Sequence, residues 1–260
     1  SKEVVGKTPR ILKSGKHDDD FYQNMWTELA DQGYWEGDIW NKRKDGTIFP
    51  QRLSIRAVKD ASGAVTHFVG DGQDISAQKV AAAAESAIEI ARDIQRSLFP
   101  KTMPKLVGFD ICGAIHAAER VSGDYFDFIS HGEERLFVAV ADVCGHGLGP
   151  SLLTAELHAY VRALLDTNDD PQHVLTQANR LFYHGDAASF ATMFLMRIDA
   201  REPTLTYAGA GHRAHVLKAD HSIHDLPSTG LPLGIDGTAR IAGGKQMQLK
   251  QGDIVVLATD

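Results

Sequence analysis

The C-terminal part of this sequence is organised around one stretch, Phe137-Val138-Ala139-Val140-Ala141-Asp142-Val143-Cys144-Gly145-His146-Gly147. Its first half is a near-continuous apolar run, Phe137–Val143, which is the pattern of a strand covered on both faces. A single acid, Asp142, breaks the run just before its end. A glycine-rich turn follows, then Pro150, which suits the first turn of a helix. That helix is expected to reach about Leu165, with Leu153, Leu157, Val161 and Leu164 at helical spacing. A second helix is expected over Pro171 to Phe182. Strands then dominate, at Ala191–Ile198, Leu205–Ala208, Ala214–Leu217 and Ile254–Ala258.

Upstream the pattern changes twice. Between Phe21 and Gln32, Phe21, Met25, Trp26 and Leu29 recur at helical spacing. Three strand-like runs follow, Trp35–Lys42, Ile48–Val58 and Val65–Gly70, joined by turns at Asp45-Gly46 and Asp60-Ala61-Ser62-Gly63. This reads as an antiparallel meander preceded by a helix. Gln78 to Leu98 then contains no Gly or Pro. Val80, Ala84, Ala87, Ala91, Ile94 and Leu98 stand 4-3-4-3-4 apart, the spacing of a heptad seam. Two readings fit: an amphipathic helix lying on its own domain, and a parallel dimeric coiled coil, favoured because the seam is narrow and small. Pro100 ends the helix.

Composition narrows the function classes. The chain has 260 residues, 43% hydrophobic and 23% charged, which are ordinary globular values. Its net charge of −7 disfavours a general nucleic-acid-binding role. The two cysteines, Cys112 and Cys144, supply neither a disulfide framework nor a Cys-based zinc site by themselves. No apolar run approaches the ~20 residues needed to cross a bilayer. A soluble, cytoplasmic protein is expected. Both ends read as cut: the start has no preceding element to pack against, and the finish at Asp260 directly follows an apolar run.

The candidate chemistry lies in three aspartates: Asp124 in Ser122-Gly123-Asp124-Tyr125-Phe126-Asp127, Asp142, and Asp260 in Ala258-Thr259-Asp260. Two of them end apolar strands. A carboxylate at a strand end projects beyond the sheet, where several strand ends converge. Hard divalent cations prefer such oxygen ligands. Any one of these aspartates alone reads as a turn cap; three in such settings favour a metal site. Glycines 145, 147 and 149 allow close backbone approach, leaving a main-chain carbonyl such as that of Val143 available to a cation. Cys144 lacks any phosphate-cradling loop with an arginine. The pairs His212/His215 and His221/His224 have no evident third ligand for zinc. Neither a phosphate-binding Gly-x-x-x-x-Gly-Lys-Ser/Thr loop nor a kinase signature is present.

Six motifs occur in order: Ser122-Gly-Asp-Tyr-Phe-Asp127, Ala141-Asp-Val-Cys-Gly-His-Gly147, Phe190-Ala-Thr-Met-Phe194, Leu205-Thr-Tyr-Ala-Gly-Ala-Gly-His212, Gly230-Leu-Pro-Leu-Gly-Ile235 and Gly252-Asp-Ile-Val-Val-Leu-Ala-Thr-Asp260. Together they resemble the SpoIIE/RsbU branch of the PPM-type (protein phosphatase 2C superfamily) serine/threonine phosphatases over about residues 90–260. Ile94-Gln-Arg-Ser-Leu-Phe-Pro100 resembles the leading helix of that branch. The resemblance implies two packed β-sheets flanked by helices, with a site for two Mn2+ or Mg2+ ions at one edge. It implies that Asp142 bridges both metals, that Asp124 and the Val143 carbonyl bind one, and that Asp260 binds the other. His146 matches the Gly-His-Gly histidine, without an assigned role; His212 matches a Gly-His pair and reads as structural. The implied reaction is attack on phosphorus by a metal-activated water. The family pattern continues past Thr259-Asp260 with a glycine and a further metal-binding aspartate, so a fragment ending here is expected to hold the first metal weakly.

Gly6-Lys-Thr-Pro-Arg-Ile-Leu-Lys-Ser-Gly15, Gly37-Asp-Ile-Trp-Asn-Lys-Arg-Lys-Asp-Gly46 and Val69-Gly-Asp-Gly-Gln-Asp-Ile75 resemble the C-terminal two-thirds of a PAS sensor domain. Thr8-Pro9-Arg10 stands where light-sensing members carry Asn-Cys-Arg, which disfavours a cysteinyl-flavin adduct. The ligand is unknown, and Trp26, Trp35 and Trp40 read as core or interface residues. The expected fold class is therefore α+β: a partial PAS fold over residues 1–76, a helical coiled-coil linker over 77–99, and a PPM-type α-β-β-α sandwich over 100–260 lacking its C-terminal part. The expected function is a signal-regulated protein phosphatase, homodimeric through the PAS part and linker helix. By resemblance its substrate is a phosphorylated STAS-domain anti-sigma factor antagonist. The helix from Ile75 to Phe99 would carry the signal. The competing reading is a non-catalytic dimeric PAS–pseudophosphatase that only binds its partner.

Overall fold

The computed structural model of the chain describes residues 4–115, 121–185 and 189–259. It divides into two compact units, Ser1–Ser86 and Ala87–Asp260. Among the described residues, no helix is long and apolar enough to cross a membrane.

In the first unit, a short 3-10 turn at Pro9–Leu12 precedes helix α1, Asp19–Gln32. Asp18 caps α1 by accepting the Phe21 N–H at 2.9 Å, and Gly33 ends it with φ of 72°, a conformation glycine adopts without strain. Strands β1 (Tyr34–Lys42), β2 (Ile48–Lys59) and β3 (Val65–Asp74) form the expected antiparallel meander, in the order β1-β2-β3. Met25 and Leu29 of α1 pack on Trp35, flanked by Phe21, Tyr22, Leu53 and Ile55. Of the three tryptophans, only Trp35 is a core residue. Trp26 is 47% exposed and meets the ring of Phe68 edge-on, and half-buried Trp40 lies under the Lys16 ammonium at 4.0 Å. Every residue of β3 is exposed.

Helix α2 runs from Ser76 to Leu98 without a break. Its buried residues are Ala91 and Gln95, with Ile88 and Leu98 half-buried beside them. Of the seam expected from the sequence, Val80, Ala84, Ala87 and Ile94 are exposed, while Ala91 and Leu98 are drawn inward. Val80, Ala83, Ala87, Ile90 and Ile94 remain exposed at 3-4-3-4 spacing. With alanines on all sides of the helix, apolar spacing alone fits either phase.

The second unit is built on a five-stranded antiparallel sheet in the order β10-β7-β6-β5-β4. Its strands are β4 (Asp124–His131), β5 (Arg135–Val143), β6 (Ala191–Asp199), β7 (Thr204–Ala210) and β10 (Met247–Gln248). Helices α3 (Leu148–Leu165) and α4 (Pro171–Phe182) follow β5 in sequence. A second, three-stranded sheet has the order β11-β8-β9, from β8 (Ala214–Leu217), β9 (Ile223–Leu226) and β11 (Ile254–Val256). The period-two alternation of β5 sorts its side chains between two cores. Phe137, Ala139, Ala141 and Val143 pack with Leu157, Val161 and Leu165 of α3 and Val174, Leu175 and Phe182 of α4. Leu136 and Val138 face the other way, with Ala214, Val216 and Leu226 of the small sheet. The result is a helix–sheet–sheet stack, and the apolar run at 137–143 is covered on both faces as expected. Strand β4 was not legible beforehand: its aromatic and acidic alternation, Tyr125-Phe126-Asp127-Phe128, gives no uniform apolar run.

One ion pair ties α3 to β4. Asp127 is fully buried and accepts from Arg162 Nε at 2.7 Å and Nη2 at 2.9 Å. The Tyr125 hydroxyl donates to the same carboxylate at 3.1 Å. Burial, then the Asp127 charge, pushes that hydroxyl well above its ordinary pKa. Desolvation holds half-buried His158, 3.7 Å from Asp127, below the usual histidine value. The pair is asymmetric, because the Arg162 side chain is 48% exposed. Arg162→Ala strands a buried carboxylate and is expected to cost roughly 3–5 kcal/mol. Asp127→Asn leaves a cation that can turn to water, at a cost of roughly 1–3 kcal/mol. Denaturant unfolding of the two variants checks the order; equal losses would refute the asymmetry.

Candidate metal centre

Strands β4 and β5 pair so that Asp124 lies directly opposite Asp142. The Val143 N–H donates to the Gly123 carbonyl at 3.0 Å. Because hydrogen-bonded and non-hydrogen-bonded pairs alternate along an antiparallel ladder, the next pair, Asp124 and Asp142, is of the closer kind, with Cα atoms about 4.5 Å apart and side chains on one face. Both aspartates are half-buried, and both stand at the end of the sheet where β4 begins and β5 finishes. On the far side of β5, Thr192 of β6 is the register partner of Asp142. The row Asp124–Asp142–Thr192 thus crosses three strands on one face.

The loop before Asp124 is held from several sides. The Gln95 amide on α2 donates to the Ser122 carbonyl at 2.6 Å and accepts from the Ser122 N–H at 3.2 Å. Ser122 Oγ accepts the Asp124 N–H at 3.0 Å and donates to Asp124 Oδ2 at 3.2 Å. Thr154 Oγ1 of α3 stands 3.1 Å from the Gly123 carbonyl oxygen. Gly123 itself leaves no room for a side chain. A Cβ there would sit 2.2 Å from the Val143 carbonyl oxygen and 3.2 Å from Asp142 Oδ1. The missing Cβ is what leaves the Val143 carbonyl and Asp142 Oδ1 close together beside Gly123.

Fit to a hard cation is tested by this donor set. It comprises two carboxylates in register and one backbone carbonyl in a cradle that any Cβ would fill, all oxygen ligands of the kind Mg2+ and Mn2+ take. These residues fit such a group. No cluster of three or more His, Cys, Asp or Glu side chains arranged for a metal occurs among the described residues. Asp260 lies outside the described residues, so only Asp124, Asp142 and Val143 of the expected ligands are brought together here.

The remaining candidates lie apart in role. Cys144 is an exposed free thiol, and His146 is exposed in the turn after β5. His215 pairs with Asp225 at 2.8 Å. His212 instead joins the site: its Nδ1 is 2.9 Å from Thr192 Oγ1 and its Nε2 is 3.0 Å from the Ala258 carbonyl. Gln95, Thr154 and Thr192 were missed in the sequence. The available signal for Gln95 was an amide among the small apolar residues of α2.

Residues 132–260 match the family model described as Stage II sporulation protein E (SpoIIE). The phosphoserine phosphatase RsbU of Bacillus subtilis (strain 168) is 32% identical over 179 residues, which cover 68% of this chain and 53% of that protein. This chain therefore spans about half the length of that relative. The SiaA-PP2C domain of Pseudomonas aeruginosa superposes with a TM-score of 0.56 at 19% identity, covering 72% of this chain and 74% of that one, a likeness of fold. Phototropin-1A of Oryza sativa subsp. japonica is 36% identical over 76 residues, 29% of this chain and 8% of that protein. The C-terminal unit has the protein phosphatase 2C fold. It is a SpoIIE/RsbU-type PPM domain.

Gly123→Ala must displace backbone, since the nearest atom is a main-chain oxygen. Overpacking of this kind is expected to cost roughly 1–3 kcal/mol. Thermal unfolding of the variant checks it, and an unchanged midpoint would show that the loop yields freely.

Proposed function

We propose that the chain is part of a signal-regulated, metal-dependent protein serine/threonine phosphatase of the cytoplasm. The observation that carries this reading is the in-register pair Asp124 and Asp142 beside the Val143 carbonyl. Like charges directly opposite in a ladder repel. A divalent cation turns that repulsion into attraction, which gives a reason for keeping two acids there. The identity to a protein named phosphoserine phosphatase supports the same reading.

In this proposal Asp142 would hold both of two cations, Mn2+ or Mg2+, with Asp124 and the Val143 carbonyl helping to hold one and Asp260 the other. When bound, the ions lower the pKa of a water and offset charge on the phosphoryl oxygens. The chain's own residues fix the geometry. Gln95 and Ser122 orient Asp124, and the β4–β5–β6 ladder holds Asp142. The substrate is a phosphoserine or phosphothreonine on a regulatory protein, which we take to be a STAS-domain anti-sigma factor antagonist. Hydrolysis of a phosphoserine protein by the full-length enzyme should require Mn2+ or Mg2+, and Asp142→Ala should lower the rate by at least about a hundredfold, the scale of losing an electrostatic stabiliser at a reacting centre. Turnover indifferent to the metal and to the substitution would support a purely binding module instead.

We further propose a homodimer along the exposed face of α2. Val80, Ala83, Ala87, Ile90 and Ile94 form a seam with a and d spacing, and Ile90 and Ile94 are 59% and 52% exposed. Ala91 and Gln95 occupy the adjacent face, roughly a quarter-turn round the helix. The domain division we adopt is a PAS segment over 1–76, a linker helix over 77–99 and the phosphatase domain from 100. Replacing Ile90 and Ile94 together with Glu should convert a dimer to a monomer in sedimentation equilibrium without loss of helix content. An unchanged mass would exclude this seam.

A further inference from the structure

We propose that His212 is a positioning residue that couples Thr192, the ladder neighbour of Asp142, to the backbone that leads into Asp260. The inference rests on the metal-centre reading above and deepens it. His212 follows β7 through Gly211 and stands at the start of the path into β8. It reaches two separate parts of the unit at once, Thr192 on β6 and Ala258 after β11, which belong to different sheets. The two residues after Ala258 in sequence are Thr259 and Asp260.

For a neutral ring, these two partners assign the tautomer. The Ala258 carbonyl only accepts, so Nε2 carries the hydrogen and donates to it. In the neutral ring Nδ1 is then a lone pair, and the Thr192 hydroxyl donates to it. This directs the Thr192 proton towards His212 and away from the carboxylate across the ladder. One imidazole thus orients a neighbour of one expected ligand and anchors the main chain before another. Outer partners of this kind orient metal ligands without touching the metal.

The test uses the full-length protein, with Mn2+ as the probe. In the metal-free state, His212→Ala should accelerate amide hydrogen exchange in the segment after Val256 and leave that of β5 unchanged. In calorimetric titration the same variant should bind Mn2+ about tenfold more weakly or worse. His212→Gln keeps an N–H donor within reach of the Ala258 carbonyl but no Nδ1 acceptor, and should recover the exchange protection while restoring only part of the Mn2+ affinity. Nitrogen-15 spectra of the wild type at neutral pH should show the Nε2–H tautomer. Wild-type Mn2+ affinity in His212→Ala, alongside its loss in Asp142→Ala, overturns the positioning role and leaves the metal centre standing. Unchanged affinity in Asp142→Ala overturns both. If His212→Ala does not fold, Thr192→Val serves instead: it removes only the Nδ1 partner and should weaken Mn2+ binding, and wild-type affinity there overturns the proposal.

Discussion

Two acids facing each other across an antiparallel ladder are the constraint on which the rest of this structure turns. Asp124 and Asp142 are held opposite by the β4–β5 register, not by attraction between their side chains. The ladder is extended on both strands, so neither residue can retreat without breaking backbone hydrogen bonds. Gly123 tightens the arrangement, because its lack of a Cβ brings the Val143 carbonyl against the same spot. What the backbone enforces here is a concentration of oxygen ligands at the end of a sheet.

Around this pair, distant elements each lend a single group. Gln95 comes from α2, Thr154 from α3, Thr192 from β6 and His212 from the turn after β7. All four act on main-chain or ligand-adjacent atoms. The buried Asp127–Arg162 pair works at another level, fixing α3 to β4 from which Asp124 starts. Similar residue types thus serve different ends. The acids at the sheet's end face each other in register, and the acid inside the stack is matched by a guanidinium.

Helix α2 shows how one element serves two faces. Its inward face is short and includes an amide that grips the loop before Asp124. Its outward face is a stripe of Val, Ala and Ile left in water. A bond from Gln95 to both polar groups of Ser122 makes that loop sensitive to where the helix sits.

Much was legible in the residues themselves. The meander and its turns, the helices α1, α3 and α4 and the two-faced burial of β5 all follow from local patterns. Periodicity and turn chemistry act over a few residues, and a sequence records them directly. The order of motifs carried the family resemblance for the same reason. Register, the phase of α2 and the partners of each polar group were decided only by the tertiary fold. Those depend on which strand lies beside which. Nothing local marks Thr192 as the neighbour of Asp142, or Ala258 as the acceptor for His212, because those pairs meet through sheet pairing across 50 and 46 positions of chain.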